Sequence, residues 1–96
     1  MVTKEKVIEA LKQSFDPELM IDIYTLGLIY KITVKKDDVM ILMTLTTPLC
    51  PYGPMLIEDV KAKVKSIAKA KKVEVEVTFD PPWKPPDEIK MMLGLP

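Results

Sequence analysis

Residues 73–79, Val-Glu-Val-Glu-Val-Thr-Phe, alternate apolar and polar side chains without a break. That period of two fits a strand with one buried face. The strand follows directly on a helical pattern that starts in the Pro/Gly-rich segment 48–54 and runs to about residue 71. Ile57, Val60, Val64, Ile67 and Ala68 form its apolar stripe. Before the prolines, residues 39–47 begin apolar on both faces, as suits a central strand. Strand, helix, strand in this order implies a right-handed crossover, with the strand order left open.

The rest of the chain is fitted around that unit. Residues 3–15 predict a helix with Thr3 as N-cap and Val7, Ile8, Leu11 and Phe15 on one face. Pro17 sets its end, because Asp16 is pushed out of helical geometry. Residues 16–27 make an unusually apolar connector. Much of it is expected on the core, with Asp16, Glu18 and Asp22 facing water or each other, and with Gly27 supplying a special backbone angle. Residues 28–35 predict a strand with Leu28, Tyr30, Ile32 and Val34 on one face, joined to 39–47 by a polar hairpin turn. Asp80 to Pro86 is proline-rich and extended, and Asp87 caps a last short helix ending near Gly94. The fold expected is a two-layer α/β (α+β) sandwich in the order α-β-β-α-β. It has a three-stranded mixed sheet, helices on one face and a short C-terminal helix.

Composition narrows what such a domain does. Ninety-six residues are read as a single domain, 1–96. Fourteen lysines balance fourteen acids and no arginine is present, so neither a net field nor a bidentate fork draws the chain to nucleic acid. The basic stretch Lys61, Lys63, Lys65, Lys69, Lys71 and Lys72 is read as the solvated face of the second helix, since no aromatic interleaves it. With no histidine, His-based triads and His-based zinc sites are excluded. Three glycines at 27, 53 and 94 allow no phosphate-binding loop. No apolar run approaches the roughly 18 residues of a membrane span. The first residues read as part of an amphipathic helix and not as a signal peptide. A single cysteine fits a reducing, cytoplasmic setting.

That cysteine, Cys50, stands where strand hands over to helix in Thr46-Thr47-Pro48-Leu49-Cys50-Pro51. A helix N-terminus offers free N–H groups and partial positive charge, both of which favour a thiolate. The thiolate is the form that attacks electrophiles and binds soft metals. The plain alternative is a small buried hydrophobe. Thr46 or Thr47 can cap the helix or place a hydroxyl beside the thiol; Thr44 reads as ordinary strand. Asp16 and Glu18 flank Pro17 and could supply oxygen ligands or a base near Cys50; a helix-ending Asp-Pro with a solvated Glu is the alternative. Trp83 among prolines either binds a partner or, more commonly, anchors its own tail.

Asp16-Pro17-Glu18, Leu26-Gly27-Leu28-Ile29-Tyr30, Thr44-Leu45-Thr46-Thr47-Pro48-Leu49-Cys50-Pro51 and Phe79-Asp80-Pro81-Pro82-Trp83 occur in that order. Together they resemble the PaaD-like, SufT-like family of iron–sulfur cluster assembly factors. The resemblance implies the iron–sulfur assembly domain fold and a non-enzymatic role as carrier or adaptor in maturing iron–sulfur proteins. It sets the family's acidic positions on Asp16 and Glu18, its threonines on Thr46 and Thr47, and its cysteine on Cys50. Expected partners are the assembly machinery and client apo-proteins, with a homodimer as a further option, and neither nucleic acid nor membrane. One thiol cannot hold a four-thiolate cluster. Any cluster bound through Cys50 is therefore expected to be transient, shared between subunits, completed by oxygen ligands or held by a partner. No tight cluster is expected on the monomer. The alternative function is a metal-free interaction module that docks maturation partners.

Overall fold

The computed structural model describes residues 2–17, 19–45, 53–84 and 86–93, the side chains of Glu88, Met92 and Leu93 excepted. Helix α1 (Lys4–Leu11) opens with the Thr3 side chain accepting from the Lys6 amide at 3.2 Å. It buries Val7, Ala10 and Leu11. It stops at Leu11 and not at residue 15, as its apolar spacing suggested. Gln13 and Ser14 donate to carbonyls three residues back, which tightens the last turn. Phe15 then pairs with Asp22 as an isolated bridge.

Strands β1 (Ile29–Lys35) and β2 (Asp38–Met43) form the hairpin, antiparallel from Lys35 opposite Asp38 to Lys31 opposite Leu42. Between Ile29 and Lys31 the register shifts. This irregularity breaks the simple alternation, so Ile29 joins Ile32 and Val34 against the core. Tyr30, expected on that inward face, instead donates its hydroxyl to the Pro81 carbonyl at 2.9 Å.

Helix α2 (Gly53–Ile67) crosses over to β3 (Lys72–Val77), which pairs parallel to β2 from Asp38–Lys72 to Met43–Val77. The strand order is β1-β2-β3, a mixed sheet with β2 in the middle. Val39, Ile41 and Met43 face a core built from Val7, Leu11, Leu56, Val60, Val64 and Ala68. A fully buried aliphatic side chain contributes roughly 1.5–3 kcal/mol. The helices cover this one face only. β2 is therefore central without being buried on both sides, and Met40 on the outer face stays 47% exposed.

Helix α2 ends four residues before the expected end near 71. Lys69 adopts a positive φ of 63°, which continues no right-handed helix. The Lys71 amide goes instead to the Asp37 carbonyl at 2.8 Å. Leu56 fills the core, whereas Ile67 lies on the exposed side of the expected stripe and Ile57 is only half-buried. Strand β3 stops at Val77, two residues short of Phe79. Helix α3 (Asp87–Leu93) returns to the core through Ile89. Among the described residues no helix is long and apolar enough to cross a membrane.

Candidate functional site

The site is built from two pieces, the connector after α1 and the first turns of α2. The connector is held by its own backbone. The Asp16 amide donates to the Ile21 carbonyl at 3.0 Å, and the Met20 amide donates to the Asp16 carbonyl at 2.8 Å. The Asp16 carboxylate accepts from the Leu19 amide at 3.0 Å. Asp16, expected to face water or its neighbouring carboxylates, is 3% exposed. A buried carboxylate needs hydrogen-bonding partners, and the tight loop at 16–20 supplies one from the main chain. Asp22 follows a milder form of the same device, accepting from the Thr25 amide at 2.8 Å.

Ser14 ties the two pieces together. Its buried hydroxyl donates to Asp59 Oδ2 on α2 at 2.8 Å, and its carbonyl accepts from the Ile23 amide at 2.9 Å. The Oδ1 atom of Asp59 sits 3.9 Å from Lys63, the i,i+4 partner expected from the sequence. Neither the Ser14–Asp59 bond nor the outward turn of Phe15 was expected. A signal for the first was present. Ser14 continues the i, i+4, i+7 spacing of Val7 and Leu11, so it is a polar residue on the apolar stripe.

Ser14 and Asp16 turn inward, so Phe15 turns out and is 50% exposed. With Pro17 it lines an open cleft shared with Pro54, Met55, Leu56, Glu58 and Asp59 of α2. Gly53 is buried at the helix start; a Cβ there would lie 3.0 Å from Leu45 Cδ1, tight enough that the leucine must give way.

Of the residues singled out from the sequence, Asp16 lies in this corner. Glu18, Thr46, Thr47 and Cys50 lie outside the described residues. Thr44 is buried, and its amide donates to the Leu28 carbonyl at 2.8 Å, a structural role. Among the described residues no group of three His, Cys, Asp or Glu side chains is placed to hold a metal ion.

A model described as iron-sulfur cluster assembly protein matches residues 4–77. The chain belongs to this family. Relatives agree over most of its length. A Fe-S protein maturation auxiliary factor of Porphyromonas gingivalis is 43% identical over 82 residues, which is 84% of this chain and 78% of the relative. The auxiliary factor SufT of Staphylococcus aureus is 45% identical over 69 residues, 71% of this chain and 78% of that one. A conserved hypothetical protein of Thermotoga maritima shares the fold at a TM-score of 0.86 and 44% identity, covering 98% of this chain and 96% of its own. The family expected from the motifs and the α-β-β-α-β order expected from the hydrophobic periodicity are both found.

In this iron–sulfur cluster assembly protein the match spans α1 to β3. The strap that follows docks on the connector. Trp83 Nε1 donates to the Leu26 carbonyl at 2.7 Å, so the tryptophan anchors its own tail. Gly27 beside it has φ of +78°, and a Cβ there would lie 3.5 Å from Pro86. The special angle read from the sequence is thus present, and the strap closes over it.

Proposed function

We propose that this protein is a non-enzymatic, cytoplasmic maturation factor that carries or positions an iron–sulfur cluster on its way to an apo-protein. The family match over residues 4–77, which includes both the Asp16 connector and the Cys50 segment, carries this reading. Geometry supports it. The Ser14–Asp59 bond pins the connector against the helix that begins three residues after Cys50. In this reading the cluster is cargo. Cys50 supplies one thiolate to iron, releasing its proton as the bond forms, and Glu18, Thr46 and Thr47 are assigned to the same site by their motif positions. Asp16, buried and bonded to its own loop, acts by holding the connector in shape. The remaining iron ligands come from a second subunit, from oxygen donors or from the partner, because one thiolate does not complete a cluster.

Anaerobic incubation with ferrous iron and sulfide, followed by visible absorption and iron counting after desalting, tests the carrier role. Wild type is expected to retain iron and sulfide substoichiometrically per chain, and Cys50→Ala to retain neither. Equal retention by both would remove Cys50 as a ligand. Retention by neither would make the protein an adaptor that holds partners together with no cluster of its own.

A further inference from the structure

The connector reverses the usual rule of burial. Ser14 and Asp16 are inside, and the Phe15 between them is half exposed. The bridge to Asp22 and the Asp16 hydrogen bonds fix this arrangement, so the ring is presented on a stiff loop. Across from it Met55 is 71% exposed at the start of α2. Between them lies a cleft of about 780 Å³. Its walls include Pro17 and Pro54, which offer ring surface and no N–H donor. Methionine beside a rigid aromatic suits an adaptable apolar contact.

Charge selects the kind of occupant. Among the described residues, the charged ones lining the cleft are Glu58 and Asp59, both acidic. Their lysine neighbours, Lys61 and Lys63, stand off at 3.9 Å each. Solvated pairs of this length are worth about 0–1 kcal/mol, so an incoming cation displaces them at little cost. A second copy docked about a two-fold axis through the cleft would bring Glu58 and Asp59 near their own counterparts, like charge to like. That disfavours self-association here.

We propose that this cleft receives a segment of a partner polypeptide carrying an apolar anchor side chain flanked by lysine or arginine. The proposal rests on the maturation-factor reading for the partner's identity, a client or scaffold in cluster delivery. Its chemistry is argued from the cleft alone.

The test is a titration of the isotope-labelled full chain, followed by backbone amide shifts, with two pentapeptides. One has tryptophan between two leucines and a lysine at each end; the other has glutamates in place of the lysines. The lysine peptide is expected to move the amides of Phe15, Met55, Leu56 and Glu58 and to bind at least tenfold more tightly. Phe15→Ser and Glu58→Lys should each weaken it at least fivefold while the thermal midpoint by circular dichroism holds. If Phe15→Ser disturbs the fold, Met55→Lys at a solvated helix position takes its place. Equal binding of the two peptides, a shift map centred elsewhere, or indifference to these variants overturns the proposal. Sedimentation showing self-association that Phe15→Ser abolishes overturns it in favour of a second copy. The titration contains no iron or sulfide, so its failure and a failure of cluster uptake are separate results.

Discussion

Along β3 the valines turn into the core and the glutamates into water; along residues 14–16 the order is inverted, with serine and aspartate inside and phenylalanine outside. The two regions are stabilised by different physics. The sheet and α2 rest on apolar burial, which is non-directional and tolerant. The connector also buries Ile23 and Leu26 in that core, but its start at Ser14 and Asp16 is held by a few aligned hydrogen bonds and leaves Phe15 half exposed. Breaking a local rule of this kind costs stability and is retained where a site needs it.

The largest expected effect lies in the first region. Ile41→Ala, at the fully buried centre of β2, should lower the unfolding free energy by about 2–4 kcal/mol in a urea titration. The strap comes next. Trp83→Ala should lose ~2 kcal/mol, since its ring is only half-buried. Trp83→Phe should lose ~1 kcal/mol, the share of the bond to the Leu26 carbonyl. A loss as large for phenylalanine as for alanine would show that the hydrogen bond, not the ring, anchors the strap. Ser14→Ala should cost ~1 kcal/mol, because the half-exposed Asp59 regains water. A double-mutant cycle with Asp59→Ala should return most of that as coupling. If the cycle shows no coupling, the connector is not held to α2 in the way described. Smallest of all, Phe15→Ser should change stability by no more than ~0.5 kcal/mol, as expected for a solvated side chain. A loss above 2 kcal/mol would make Phe15 a core residue and erase the contrast between the two regions.

The regular region was legible because period-two and period-3.6 patterns report burial directly. Val73, Val75 and Val77 read correctly for that reason, as did Val60 and Val64. Ends were less legible. α1 and α2 both stop early, at positions where a tightened turn or the positive φ of Lys69 intervenes, and neither feature leaves a periodic trace. Tyr30 was misplaced because a shift in register moves a side chain off its expected face. The family could be read from the motifs, but the inward turn of Asp16 could not. A buried carboxylate satisfied by an amide of its own turn looks, in sequence, like any aspartate before proline. Glu18, Thr46, Thr47 and Cys50 remain assigned by motif alone.

The central claim is that this family member speeds the maturation of iron–sulfur proteins. The most direct measurement is the activity regained by an apo iron–sulfur enzyme held anaerobically with limiting iron and sulfide. Adding the wild-type chain should raise the rate of recovery several-fold, and adding Cys50→Ala should leave it near the rate without protein. Recovery no faster with the wild-type chain than without it would contradict the account.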